Sequence, residues 1–390
     1  MSRYIILNIL LVLINLHVAA QKLLTQVESI NLAIGNQQNL KTRNLVITQQ
    51  QQLLSGAAGL DNPQIQLQAS PYEPLVISAQ QSFNLPAVYR NRKALQNERI
   101  ALARLQLSGA QIDLKRAVSI SYFRLQYFDE RIRLLMYQDS IYQAVKIASK
   151  RFFDAGQINK LEELQATSQA DKIHNEVERA KLDLISEKQL FVFYTNLTDS
   201  FSVEPIRVYT YDYPGDTLQN NIQKQILQQQ ASIRNREFTL EKAEILPSFT
   251  AGLLFPTTKN YERPIGYQVG IAIPIWAKQN RSRVAAAGTA VEIARAQQEL
   301  AVQQLNTQYL QALNTYRKEQ QSLSYFRGTA LPQAMAIIET SQRLFRGGEL
   351  NYIESLRNLQ MAFEIINSHL ETHRAFNQAI IELNYLQQTL

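Results

Sequence analysis

A helix, a tight turn and a second helix are encoded at Phe153-Asp154-Ala155-Gly156-Gln157-Ile158-Asn159-Lys160-Leu161-Glu162. Half a chain later the pattern returns as Phe345-Arg346-Gly347-Gly348-Glu349-Leu350-Asn351-Tyr352-Ile353-Glu354. Gly156 and Gly348 suit the left-handed conformation that ends a helix, and Asn159 and Asn351 are good residues to start the next. A chain built this way folds as a duplicated unit if the sequence outside the turns repeats as well.

It does repeat. Asn62-Pro63-Gln64-Ile65 and the later Phe83-Asn84-Leu85-Pro86, followed by Arg90 and Arg92, are matched by Leu246-Pro247-Ser248-Phe249 and Ile271-Ala272-Ile273-Pro274, followed by Arg281 and Arg283. Each half reads short helix, two strands, long helix, glycine turn, helix. The predicted division is a leader at 1–20, a first repeat over 21–196, a linker over 197–217 with one short strand, and a second repeat over 218–390. The first repeat carries a β-hairpin at 62–86 and a helical turn at 153–159; the second carries them at 247–276 and 345–351.

The strands alternate with a period of two. Ile65, Leu67 and Ala69 interleave with glutamines, and after Pro71-Tyr72-Glu73-Pro74 the residues Ile77, Ala79, Phe83 and Leu85 interleave with Ser78, Gln80, Ser82 and Asn84. In the second pair Phe249, Ala251, Leu253 and Phe255 share a face, as do Tyr267, Val269, Ile271, Ile273 and Ile275. Strands of this length, apolar on one side and uncharged on the other, suit a tilted membrane-spanning strand, with Tyr72, Tyr89, Tyr261, Tyr267 and Trp276 near the ends where aromatic girdles belong. The same alternation also suits one face of a soluble β-sandwich. If the strands span a bilayer, four cannot close a barrel and open edges are not tolerated in lipid, so several copies must close it together; three copies give twelve strands.

The fold class that follows is mainly α with a small β part. From Arg92 to Arg151 an apolar seam of Leu107, Leu114, Val118, Leu125, Phe128, Ile132 and Leu135 steps as a coiled coil does, and Val284, Ala287, Val291, Ala294, Ala301, Leu305 and Ala312 repeat it after Arg283. About 60 helical residues reach ~90 Å, far beyond a compact core. Pro332, and the Asp139-Ser140 region at the matching place in the first half, predict a bend or break in each rod. Residues 22–56 read as one helix with Leu24, Val27, Ile30, Ala33 and Ile34 on one face.

Residues 1–20 have Arg3, an apolar run from Ile5 to Leu16 and the small residues Val18-Ala19-Ala20, the pattern of a secretory signal cut after Ala20. No other stretch has the apolar length of a membrane-spanning helix. The chain has no cysteine, which excludes disulfides, thiolate metal sites and a cysteine nucleophile. Its net charge of +7 is spread without a basic block, which argues against a nucleic-acid partner. No phosphate loop or nucleophile elbow is present, so an enzyme is not predicted, nor is a cofactor. His369 and His373, four apart on a helix, lack a nearby acidic or cysteine partner and are predicted to be a solvent-exposed pair with no metal.

Taken together, the leader, the two-fold repeat, the Asn62-Pro63 strand start, Pro86 and Pro274 with their following arginines, and the Phe-x-x-Gly-x-x-Asn turns resemble the TolC-type outer-membrane efflux proteins. The resemblance covers the whole mature chain and is greatest to the branch serving heavy-metal efflux pumps. It implies a homotrimer with a twelve-stranded barrel in outer-membrane lipid and an α-helical tunnel across the periplasm. It also implies a periplasmic adaptor and an inner-membrane pump of the resistance-nodulation-division class as partners. The cargo, metal cations or drugs, would pass unchanged.

By the same resemblance the two turns form the periplasmic tip and gate, with Gly156 and Glu162 at the first. At the second, aligned through Gly348, positions that hold a tyrosine, an arginine and two aspartates in the best-known members hold Phe345, Leu350, Glu354 and Arg357. The polar lock is missing and one acidic position survives. The resemblance and the alternation together assign Ile65, Leu67, Phe83, Phe249, Leu253, Val269, Ile271 and Ile273 to a lipid-facing surface. A periplasmic or secreted coiled-coil scaffold or adhesin, with the strands as a soluble cap, is the alternative.

Overall fold

The computed structural model describes residues 22–70, 73–197, 200–211, 218, 221–256, 265–347 and 349–390. The expected leader, Tyr72, Tyr261 and Gly348 lie outside the described residues. The elements run β1 (Lys22–Leu24), α1 (Gln26–Asn36), α2 (Gln38–Gly56), β2 (Gln64–Ser70), β3 (Glu73–Phe83), α3 (Pro86–Asp154), α4 (Lys160–Thr195) and β4 (Phe201–Val203). They continue as α5 (Ile222–Glu244), β5 (Ser248–Pro256), β6 (Gly266–Ala272), α6 (Ala277–Tyr325), a π-helical turn (Phe326–Ala330), α7 (Leu331–Gly347) and α8 (Tyr352–Gln387).

The chain divides into two compact units, and each draws on both halves of the sequence. One, over 38–110 and 216–307, holds a four-stranded antiparallel sheet of order β2-β3-β5-β6 together with α2, α5 and the first parts of α3 and α6. Here Arg92 of α3 and Arg283 of α6 both reach Glu244 of α5, each at 3.3 Å, and Glu98 receives Arg236 at 3.2 Å. Half-exposed pairs such as these contribute little each, so they set helix register more than stability.

The other unit, over 1–37, 111–215 and 308–390, holds the two helical hairpins α3–α4 and α7–α8. Its largest apolar cluster uses small side chains, Ala166 and Ala170 of α4, Ala334 of α7 and Ala362 of α8, which let the helices approach closely; Tyr142 and Phe363 fill the space between them, ring centroids 5.8 Å apart. Of the seam predicted along α3, Leu114, Val118, Leu125 and Leu135 are buried, whereas Phe128 and Ile132 are half-buried. The segment expected as a linker is tied down. Asn377, fully buried on α8, accepts from the Tyr209 amide at 2.9 Å and donates to the Arg207 carbonyl at 2.7 Å, while Gln126 donates to the Glu204 carbonyl at 2.9 Å.

Several expectations need correction. Residues 22–56 are not one helix: Lys22–Leu24 pair in parallel with Phe201–Val203, the Leu24 carbonyl accepts from the buried Tyr122 hydroxyl at 2.9 Å, and Gln37 is extended between α1 and α2. Thr25 starts α1 with a reciprocal capping box to Glu28, and that register leaves Val27 exposed. There is no break at Asp139-Ser140, where α3 runs through; Ser140 bonds the Tyr137 carbonyl and Asp139 accepts from Gln143, so both polar side chains are satisfied without leaving the helix. In the second half the irregularity sits just before Pro332, where the Leu331 amide reaches five residues back to the Phe326 carbonyl. Proline has no amide to return to Gly328, and a wide turn accommodates its ring.

Candidate channel-forming sheet and helical tip

The sheet's register decides what its faces are. Leu67 pairs with Ile77 and Ile77 with Phe255; Ile65 pairs with Ala79, Ala79 with Leu253 and Leu253 with Tyr267; Phe83 pairs with Phe249 and Phe249 with Ile271. Residues side by side point to one face, so the apolar sets of all four strands merge into one surface. That surface is exposed: Ile65 and Val269 each keep 76% of their accessible area and Tyr267 keeps 85%. An apolar surface of this extent is not left bare to water.

The reverse face carries the polar residues, with Val76 and Leu254 as apolar members near one end. Gln66 lies beside Ser78, Gln64 beside Gln80, Thr250 beside Ser82 and Gly270, and Gln80 donates to Gln268 at 3.2 Å across the backbone of Gly252. A Cβ at Gly252 would stand 2.8 Å from the Ala79 carbonyl oxygen and 2.9 Å from Gln80, so the glycine is what lets the glutamines meet over β5. Gln81 is a polar residue on the apolar side, and its amide donates to the Asp61 carbonyl at 2.6 Å. β2 and β6 are the outer strands, and among the described residues their far edges have no strand partner. Of the predicted strand residues Ile65, Leu67, Phe83, Phe249, Leu253, Val269 and Ile271 lie in the strands; Ile273, though exposed, falls just past the end of β6. Glu73 already pairs with Ser70, so β3 begins within the Pro71–Pro74 stretch expected as the turn.

The two helical turns lie in the other unit. At the first, Gly156 has φ +72°, and the Gln157 amide closes on the Phe152 carbonyl at 2.8 Å. Asn159 then accepts from the Glu162 amide at 3.0 Å while the Glu162 carboxylate accepts from the Asn159 amide at 2.7 Å. At the second, the Glu349 amide closes on the Leu344 carbonyl at 3.0 Å, and Asn351 accepts from the Glu354 amide at 2.9 Å. Phe345 packs edge-on against Phe152, centroids 5.9 Å apart and planes at 84°, which joins the turns through one aromatic pair. Leu350 is half-buried beside the turn; Glu354 and Arg357 are exposed, and Arg357 lines an open groove with Leu161, Leu164 and Gln165 of α4. Phe153, the first residue of the repeated Phe-x-x-Gly-x-x-Asn pattern, is not that partner. Phe153 instead lies under the ammonium groups of Lys150 and Lys160, at 5.6 and 5.1 Å.

The histidine expectations change. His174, isolated in sequence, has Nδ1 3.1 Å from Asp139 of α3. His369 and His373 are not solvent-exposed: His373 keeps only 7% of its surface, and the Nε2 atoms of both are buried without a hydrogen-bond partner. Burial holds both imidazoles below their usual pKa, His373 down to about 4, with the Arg327 guanidinium adding to the effect. Among the described residues no three histidine or acidic side chains gather as a metal site, and no helix is long and apolar enough to cross a membrane.

No protein-family model matches this sequence, and no curated protein matches it either. Solved structures do match in fold. CusC, a protein that forms a transmembrane channel, superposes at TM-score 0.79 with 14% identity over 93% of this chain and 91% of its own. The CmeC outer membrane channel of Campylobacter jejuni gives 0.78 and 12% over 93% and 85%; the outer membrane protein VceC of Vibrio cholerae gives 0.76 and 12% over 93% and 96%. The chain therefore has the fold of the TolC-type outer-membrane channels.

Proposed function

We propose that this chain is the outer-membrane channel of a tripartite efflux system, a passive exit duct with no chemistry of its own. The observation that carries the reading is the four-stranded sheet, exposed and apolar on one face, mainly polar on the other, and, among the described residues, unpaired along the far edges of β2 and β6. In lipid every backbone group on those edges needs a partner, and a second copy of the same sheet supplies it. Three copies close twelve strands, with Ile65, Leu67, Phe83, Phe249, Leu253, Val269 and Ile271 turned to lipid and the glutamine face to a wet lumen. A soluble scaffold would instead bury that apolar face in its own fold, and within the sheet's own unit the face is exposed.

The two sequence repeats, a leader ending at residue 20 and the linker over 197–217 belong to the same reading. The helical turns, with Gly156, Glu162, Phe345, Gly348, Leu350, Glu354 and Arg357, form the periplasmic end, where an adaptor and an inner-membrane pump of the resistance-nodulation-division class deliver metal cations or drugs. Membrane fractionation tests the proposal. The protein should stay with outer membranes through high salt and carbonate, require detergent for release, and have a native mass three times that of one mature chain. Release by carbonate, or a stable inserted monomer, would overturn it.

A further inference from the structure

Buried polar atoms without partners call for an explanation, and this molecule places two of them side by side. His369 and His373 stand one turn apart on α8 with ring centroids 6.3 Å apart, and the Phe326 ring packs on His369 at 6.1 Å and 62°. Phe326 opens the π-helical turn, which ends where Leu331 bonds back to it and Pro332 has no amide to give. Turns of this kind interrupt the regular ladder and can shift to α-helical spacing by moving one residue along. His373 also has a hydrogen bond to the Arg207 backbone, on the segment clamped by Asn377.

We propose that the His369–His373 pair and the π-helical turn at Phe326–Ala330 form a protonation-controlled latch, packed while both imidazoles are neutral and released when the pair takes up a proton. The groups acting on the pair offer an imidazolium no opposite charge, and what favours it is the hydrogen bond from His373 to the Arg207 backbone. From the turn comes Arg327, a cation; from the connecting segment comes only the Arg207 backbone; and each ring faces the other. Among the described residues no carboxylate acts on the pair; Glu371 on the same helix is engaged with Tyr127 and Arg374, Glu204 of the connecting segment with Tyr122, and Glu319 of α6 with Lys318. A charge created here is relieved by exposing the rings, and the element with the weakest internal bonding is the turn against them.

The direction in pH follows from linkage. A released imidazole titrates near its ordinary value of about 6.5, whereas the packed pair titrates lower, His373 at about 4. Between these values the released state holds more protons, so the packed turn is fully favoured above about pH 6.5 and loses ground as pH falls toward about 4. The inference stands independently of whether the chain is a channel, because it concerns one helix pair.

Amide hydrogen exchange of the full-length protein in detergent, corrected for intrinsic rates, tests it between about pH 7.5 and about pH 5. Protection over residues 325–332 should fall by about tenfold or more on acidification, while α4 keeps its protection. The double variant His369→Gln, His373→Gln, which keeps an amide donor for the Arg207 backbone but cannot take up a proton, should lose that response. Arg327→Gln, at an exposed position, should fold normally and move the release to lower pH, because removing the neighbouring cation lets the packed pair tolerate a proton better and narrows the gap that drives release. A pH response that survives in the double variant would overturn the latch. So would an Arg327→Gln midpoint that stays put or rises, and that arm decides alone if the double variant does not fold.

Discussion

At the first helical turn Asn159 caps the helix and Glu162 returns the bond to the Asn159 amide, so both side chains are spent on the turn itself. At the second, Asn351 caps in the same way, but the box is not closed and the Glu354 carboxylate stays exposed. Gly156 at the first turn takes a left-handed conformation; its counterpart Gly348 lies outside the described residues, and the preceding Gly347 belongs to α7. Two copies of one motif thus teach that a repeated pattern fixes the backbone first. What the acidic residue does afterwards depends on whether the cap has claimed it.

The largest expected effect tests whether the halves are equivalent where they should be, in the sheet. Leu67→Arg in β2 and Ile271→Arg in β6 should each cost about 2–4 kcal/mol if the sites lie near mid-bilayer, whereas Ser82→Arg on the polar face should be mild. Denaturant unfolding of protein refolded into liposomes, with trimer yield as a second readout, measures this. If only one half suffers, the two hairpins do not share a lipid surface.

The next effect separates the turns. Gly156→Ala places a Cβ at φ +72° and should cost about 1–2 kcal/mol, while Gly347→Ala, at the end of a helix with nothing nearer than 3.4 Å to the new Cβ, should be neutral or slightly stabilising. Equal losses in thermal unfolding would show that a Cβ is tolerated no better at the end of α7 than at the left-handed glycine of the first turn. Smaller still, Asn159→Ala should cost about 1 kcal/mol and Glu162→Ala a fraction of that, both with faster exchange at the 159–163 amides. Glu354→Ala should leave stability unchanged. A matching loss at Glu354 would mean its carboxylate caps after all.

Much of this was legible from residue order. The strand faces followed from alternation because neighbouring side chains in a pleated sheet must point apart, and the caps followed from Asn159 and Asn351 because few other side chains start helices. Long-range placements were not legible. The pairing of Lys22–Leu24 with Phe201–Val203 joins segments far apart in sequence, and no local period signals it. The burial of His369 and His373 depends on Phe326 and Arg207, which arrive from other elements. The choice of Phe152 over Phe153 as the partner of Phe345 is a matter of which side of α3 faces α7, and adjacent phenylalanines leave that open. At the tip, spacing located Glu354 and Arg357 but not their surroundings; the groove at Arg357 is formed with Leu161, Leu164 and Gln165, half a sequence away.

The smallest effect in energy is the most informative about function. In a trimer, three Glu354 carboxylates around a narrowing duct would focus a negative potential that favours cations, and Glu162 would add less because its carboxylate already accepts from the backbone. Arg357 stands one helical turn from Glu354 and would offset part of that field. With Phe345 held on Phe152 by apolar contact, the turn should keep its packing as salt is raised, so salt should screen the selectivity without loosening the tip. Reversal potentials in planar bilayers under a salt gradient read the balance directly. Glu354→Gln should reduce cation preference, Arg357→Asp should raise it, and Glu162→Gln should change it least. If Glu162→Gln and Glu354→Gln move selectivity equally, the cap does not withhold the first carboxylate from the lumen; if Glu354→Gln and Arg357→Asp both leave it unchanged, neither residue lines the constriction.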